Sequence, residues 1–412
     1  MQAAPVSTFS TSALPVRVNF AWMLIGNLIQ AGAQWGVVVV LARLGSPEDV
    51  GGYALALAVV SPVFLFSNMH LRAILATDVA LETGAGTYFS LRLASSSLAA
   101  MVLLVAACFR GPQQGLVLAG LTVAKAFEAI SEVLYGEMQR TEQMDRIGKS
   151  MAARWGGALL VTAVAMSWSR SLVVSLISIG LVSATVALWD LQSVRASRWR
   201  SSFGEIKQLA VSAAPLGLLM LMVSLNASIP RYFLAGLSSQ SAVGIFAALS
   251  YVSVALNTLV IAAGQAGGTT MARSFWARDG FAFAGQAVRL LALALVLGIA
   301  GVGVALWKGQ DLLELLYGPF FSRERESLNW LMIAGALSYV ASAIGYMLAS
   351  ARCFHLQLPT LILTSLTTAL GCQLLVPRAG VTGAAQAQLA GYAVQTALSL
   401  MLLIYSCGRR FR

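Results

Sequence analysis

The chain has 412 residues, of which 58% are hydrophobic and only 10% charged, with a mean hydropathy of +0.78 and a net charge of +11. That balance excludes a soluble globular domain. The basic residues fall between long apolar runs, as rims beside anionic lipid headgroups, so nucleic acid is not an expected partner.

A bilayer core about 30 Å thick takes roughly 20 apolar residues per helix. In chain order, runs of that length predict spans near residues 19–41, 52–70, 90–109, 115–136, 152–168 and 171–191, then 209–233, 242–265, 285–306, 328–350, 358–376 and 384–405. The runs are continuous and rich in Leu, Ala, Val and Gly, where barrel strands would alternate. The expected fold is therefore all-α, a polytopic membrane protein of about twelve transmembrane helices. The first apolar run lacks a small-residue cleavage site and is expected to remain as a span.

Positively charged loops resist translocation. The N-terminus, the C-terminal tail and the loops after the even-numbered spans hold 18 of the 27 Lys and Arg, among them Arg140, Arg146, Lys149, Arg154, Arg195, Arg198, Arg200 and Lys207. The opposite loops hold 8, and Lys125 lies inside a span. Both termini are accordingly expected in the cytoplasm. Cys108, Cys353, Cys372 and Cys407 are scattered, and the two histidines, His70 and His355, stand near helix ends. Neither a disulfide framework nor a metal site is indicated, and no cofactor is expected.

The chain repeats itself. A shift of 193 positions aligns LARLGSPEDVGGYALA, residues 41–56, with LAGLSSQSAVGIFAAL, residues 234–249, matching Ser46 to Ser239 and Gly51 to Gly244. Each copy joins the first and second spans of its half. The repeat predicts two parallel six-helix lobes, 1–200 and 201–412, around a central cavity, with the basic segment 192–208 as linker.

Polar residues inside the spans mark candidates for that cavity. Asn27, Gln30 and Gln34 share one face of the first span, Ser250, Ser253 and Asn257 one face of the eighth, and Gln388, Tyr392, Gln395 and Ser399 one face of the twelfth. Such stripes serve either as helix–helix glue or as cavity lining. On the fourth span Lys125, Glu128 and Glu132 share a face close to the bilayer midplane, where charge is costly unless paired or hydrated. They mark either a substrate or ion pathway or a self-satisfied Lys125–Glu128 pair. Arg43 and Arg231, near the ends of the first and seventh spans, read as snorkelling anchors or cavity cations. Asn226 and Pro230 predict a local break in the seventh span.

VVVVLARLGSPEDVGGYALALAVVSPV, from the first span into the second, resembles the opening of polysaccharide exporters of the multidrug/oligosaccharidyl-lipid/polysaccharide superfamily. NASIPRYFLAGLSSQSAVGIFA, LLELLYGPFF and VPRAGVTGAAQAQLAGY resemble the same family, which includes O-antigen flippases. The resemblance implies a two-lobe flippase that moves lipid-linked oligosaccharide across a bacterial inner membrane by alternating access, beside polysaccharide polymerase or export machinery. With no GxxxxGK[ST] phosphate loop in the chain, the energy is expected from an H+ or Na+ gradient or from downstream consumption of the product. Lys125, Arg43 or Arg231 would then neutralise phosphate, and Glu128 or Glu132 would carry a coupling proton. A multidrug or other small-molecule exporter of the superfamily is the alternative. An enzyme is not expected: the connections are short, and residues 307–327, the longest external one, are a poor catalytic platform.

Overall fold

The computed structural model describes residues 16–77, 84–192, 201–351 and 354–411, and among them the regular backbone is helical throughout. The helices are α1 (Val16–Leu44), α2 (Pro47–Asn68), α3 (Leu71–Thr77), α4 (Ala85–Cys108), α5 (Pro112–Arg140), α6 (Met144–Ser169), α7 (Leu172–Leu191), α8 (Phe203–Leu237), α9 (Gln240–Trp276), α10 (Gly280–Tyr317), α11 (Pro319–Ser322), α12 (Arg325–Ser350) and α13 (Phe354–Phe411). Arg195, Arg198, Arg200 and Cys353 lie outside the described residues.

Nine of the described helices are long and apolar enough by composition to cross a membrane. The α5 and α6 helices, which carry Lys125, Glu128 and Glu132 and Arg154 inside their apolar runs, match the fourth and fifth predicted spans, and α13 turns at Gly380, φ +52°, a left-handed conformation that suits glycine, so that its two arms match the last two predicted spans. Counted this way, the crossings number twelve. Exposed aromatic side chains ring both ends: Phe109, Trp168 and Trp307 at the distal face, Phe203, Trp276 and Phe281 at the terminal face, where α1 begins and α13 ends. Rings at these depths sit where headgroups would lie.

Two expectations are corrected. Residues 307–327 form no long loop: α10 continues to Tyr317, interrupted only at Lys308, and α11 follows. Burial of Leu313 and Tyr317 against the distal core explains the extension. The α8 helix runs unbroken through Asn226 and Pro230. Pro230 is buried, and the packing of α8 against α2 and α13 holds it across the missing backbone bond.

Helices α1 to α7 pack mainly on one another, as do α8 to α13, and the two groups meet where α2 lies against α8 and α9. The repeat shapes that seam. Ser46 caps α2, accepting from the Asp49 N–H while Asp49 accepts from the Ser46 N–H, and Ser239 caps α9 by accepting from the Ala242 N–H. At Gly51 an added Cβ would meet the Gln240 carbonyl oxygen at 1.9 Å; at Gly244 it would meet the Pro47 carbonyl oxygen at 2.1 Å. Positions 47 and 240, like 51 and 244, are equivalent under the 193-residue shift. The contact is thus reciprocal, as a pseudo-twofold axis between the copies requires, and only glycine lets backbones approach so closely.

Candidate functional site

The α5 helix positions the first candidates. Lys125 stands about 20 Å along α5 at 1.5 Å per residue, near mid-membrane. Its Nζ lies 2.8 Å from the Glu128 carboxylate and 5.5 Å from the centre of the Trp155 ring on α6. Both members of the pair keep partial exposure, 20% and 18%, so they border open space and not a sealed core.

The residues around them come from both lobes. Tyr53 on α2 interacts electrostatically with Tyr251 on α9, Glu128 and Arg231 on α8. Tyr251 in turn senses Arg231 and Lys125, and Tyr392 on α13 senses Arg231 while accepting a 3.1 Å hydrogen bond from Gln388 Nε2. Five helices thus direct two cations, a carboxylate, three phenols and a carboxamide toward one region. Within it Lys125 has Glu128, whereas Arg231 has no ion pair or hydrogen bond among the described residues and its Nε is buried without an acceptor. The Tyr53 and Tyr251 hydroxyls are likewise without hydrogen-bond partners among them. A buried donor such as Arg231 Nε in this state calls for water or a ligand.

Toward the terminal face, the first lobe is braced by ion pairs. Glu132 accepts from Arg92 at 3.1 Å and from Asn68 at 2.9 Å. Arg154, 3% exposed, lies 3.5 Å from Asp190, 1% exposed, and donates to the Ser131 hydroxyl. Ser150 donates to Asp190 at 2.8 Å and lies 2.6 Å from the Tyr135 hydroxyl, whose ring carries Arg72 at 5.3 Å. These bonds tie α3, α4, α5, α6 and α7 together.

The sequence candidates separate accordingly. Lys125, Glu128, Arg231, Gln388 and Tyr392 come together in the central region. Glu132 is engaged with Arg92 and Asn68. Arg43 is not with them: its guanidinium is bonded to the end of α10 at the distal face, because its place at the end of α1 puts it within reach of carbonyls there. Arg154, expected in a terminal loop, is buried inside α6, held by Asp190. Ser253 is glue, bonded to Tyr339 and packed on Gly335, and Ser250 donates to the Phe246 carbonyl one turn back. Asn226 and Asn257 each hold a buried carbonyl oxygen without a donor among the described residues. Asn27 is exposed and Gln30 and Gln34 half-buried on α1, with no hydrogen-bond partner among the described residues.

Tyr53, Tyr251 and Trp155 escaped the sequence reading because aromatic residues inside apolar runs look like core. Asp190 and Arg92 escaped because each stands close to a span end, where charge is ordinary. A cavity of about 250 Å³ opens elsewhere, at the distal face beside the α2 N-terminus, and none of its lining residues belongs to the central group.

Residues 40–274 match the sequence model of the family described as polysaccharide biosynthesis protein. The chain belongs to that family. It is 25% identical over 332 residues to the capsular polysaccharide biosynthesis protein CapF of Staphylococcus aureus, covering 79% of this chain and 83% of that protein. Its fold is similar to an inward-facing multidrug resistance MATE transporter of the MOP superfamily, with a TM-score of 0.75 at 11% identity over 94% of this chain and 98% of the other. It is equally similar to the lipid II flippase MurJ in an inward closed conformation, with a TM-score of 0.75 at 9% identity over 94% and 89%. A membrane transporter fold and a polysaccharide biosynthesis family thus coincide in one chain.

Proposed function

We propose that this protein is a flippase for a lipid-linked oligosaccharide, working by alternating access between two lobes, 1–200 and 201–412, in a bacterial inner membrane with both termini cytoplasmic. The observation that carries the reading is Arg231, a cation between the lobes with no ion pair or hydrogen bond among the described residues, flanked by Tyr53 and Tyr251, whose hydroxyls have no hydrogen-bond partner among them either. A sugar headgroup loses roughly 2–7 kcal/mol for each hydroxyl stripped of hydrogen bonds in hydrocarbon, and a diphosphate linkage far more. Arg231 would take the phosphate, for which a forked guanidinium is suited. Tyr53, Tyr251, Tyr392 and Gln388 would replace water around sugar hydroxyls, while the lipid tail stays in the bilayer.

The family match supports a role in polysaccharide assembly. A multidrug exporter for cations is less well served, because the central carboxylate, Glu128, is already paired with Lys125. Glu128 and Glu132 remain the candidates for coupling to an H+ or Na+ gradient. The sealed distal face fits a state open toward the cytoplasm.

The test is translocation of a fluorescent lipid-linked oligosaccharide in proteoliposomes, comparing the parent protein, Arg231→Ala and empty vesicles. Movement by the parent and loss in the folded variant are expected. A parent that moves none of a broad glycan panel overturns the substrate class.

A further inference from the structure

At the distal face α1 meets the second lobe through directed bonds. The Arg43 guanidinium donates to the carbonyls of Glu314 at 2.9 Å and Leu316 at 3.2 Å, and also to that of Leu315. These carbonyls lie in the last turn of α10, where helical N–H partners run out and the negative end of the helix dipole concentrates. Two turns earlier on α1, Trp35 Nε1 donates to the Tyr317 hydroxyl at 2.8 Å, which donates to the Ala248 carbonyl of α9 at 2.8 Å. Beneath these bonds Val38, Leu41, Val243, Phe246 and Leu313 share one apolar core.

Arg43 belongs to the first lobe, since α1 packs chiefly along α6, and its acceptors belong to the second. The position equivalent to Arg43 under the 193-residue shift is Gly236, so the second copy carries no such cation. Arg43 is exposed, and on separation both guanidinium and carbonyls regain water, whereas the glycine seam and the apolar core do not exchange so readily. We infer that Arg43 is a releasable latch that holds the distal face shut and lets go of α10 when that face opens. The inference rests on the alternating-access reading above. It adds the residue that biases the equilibrium between the two states.

The experiment replaces the four native cysteines by alanine, introduces Val38→Cys, and measures its labelling by a membrane-impermeant maleimide applied to the distal face. Val38 is 1% exposed and is expected to label slowly. Arg43→Ala is expected to raise the rate about tenfold, the scale of losing a charged hydrogen-bond set. Arg43→Lys is expected to fall between, because an ammonium cannot fork across three carbonyls. Gly244→Leu, which wedges the seam, is the reference for an opened face. If Gly244→Leu exposes Val38→Cys and Arg43→Ala does not, the latch is overturned. If neither does, alternating access at this face and the latch fall together. If Arg43→Ala exposes it while the parent moves no glycan, the latch stands and the substrate reading falls.

Discussion

The two lobes share one helix plan and treat buried charge in opposite ways. In the first, Lys125 has Glu128, Arg92 has Glu132 and Arg154 has Asp190. In the second, the Thr364 and Thr368 hydroxyls donate back to their own helix, and Arg231 has no partner among the described residues. Charge in a poorly polarisable interior is tolerated when it is matched. The first lobe pairs these charges with one another and thereby gains a braced frame, with Arg92 Nη1, Arg154 Nε and Asp190 Oδ1 still buried without a hydrogen-bond partner among the described residues. On the proposed reading, the second leaves Arg231 to be matched by substrate.

The sharpest way to break that contrast is to unpair the frame. Arg154→Ala leaves Asp190 buried alone and is expected to lower stability by about 3–5 kcal/mol, read as thermal unfolding in detergent. Arg154→Met combined with Asp190→Leu is expected to recover much of it. Arg231→Ala is expected to do the reverse: the unfolding midpoint holds, since no bond among the described residues is lost, while translocation drops at least tenfold, about 1.4 kcal/mol in barrier terms. A destabilised but active Arg231→Ala would erase the difference between the lobes. Where the lobes agree, equal effects are expected. Ser46→Ala and Ser239→Ala each remove one N-cap and are expected to lower stability by about 1 kcal/mol apiece.

The smallest effect lies outside the membrane, where Lys149 donates to Asp145 at 2.9 Å across one helical turn. Lys149→Ala is expected to lower stability by about 0.3–0.5 kcal/mol at neutral pH. The hydrogen bond from Lys149 is the main reason the Asp145 carboxyl lies below its ordinary value, partly opposed by desolvation. The stabilisation is therefore present above the unfolded carboxyl's pKa and is lost as pH falls through the lowered one. Unfolding midpoints of parent and variant are expected to converge in acid. A difference that persists there would mean that Lys149 acts by packing, as its position over the Trp22 ring would permit.

Helix positions were legible because apolar length is a local property: each predicted span lies in a helix or in one arm of α13. The repeat was legible because Ser46 and Ser239 hold the same cap and Gly51 and Gly244 the same close approach. Lys125 and Glu128 stood out because charge at mid-span is rare. Arg43 and Arg231 were indistinguishable in sequence, both being arginines near span ends. The α8 break was wrongly expected because a proline's local cost shows in sequence, while the neighbours that offset it do not.

Composition, run length and the 193-residue repeat by themselves determined a polytopic helical membrane protein built twice over, because transfer into a bilayer depends on residues counted locally along one helix. Only the tertiary structure decided what each charge meets. It placed Arg43 on the last turn of α10, Arg154 on Asp190, and Arg231 among Tyr53, Tyr251 and Tyr392 without an ion pair or hydrogen bond among the described residues. Those outcomes depend on contacts between residues tens to hundreds of positions apart, and helical periodicity carries no information about them.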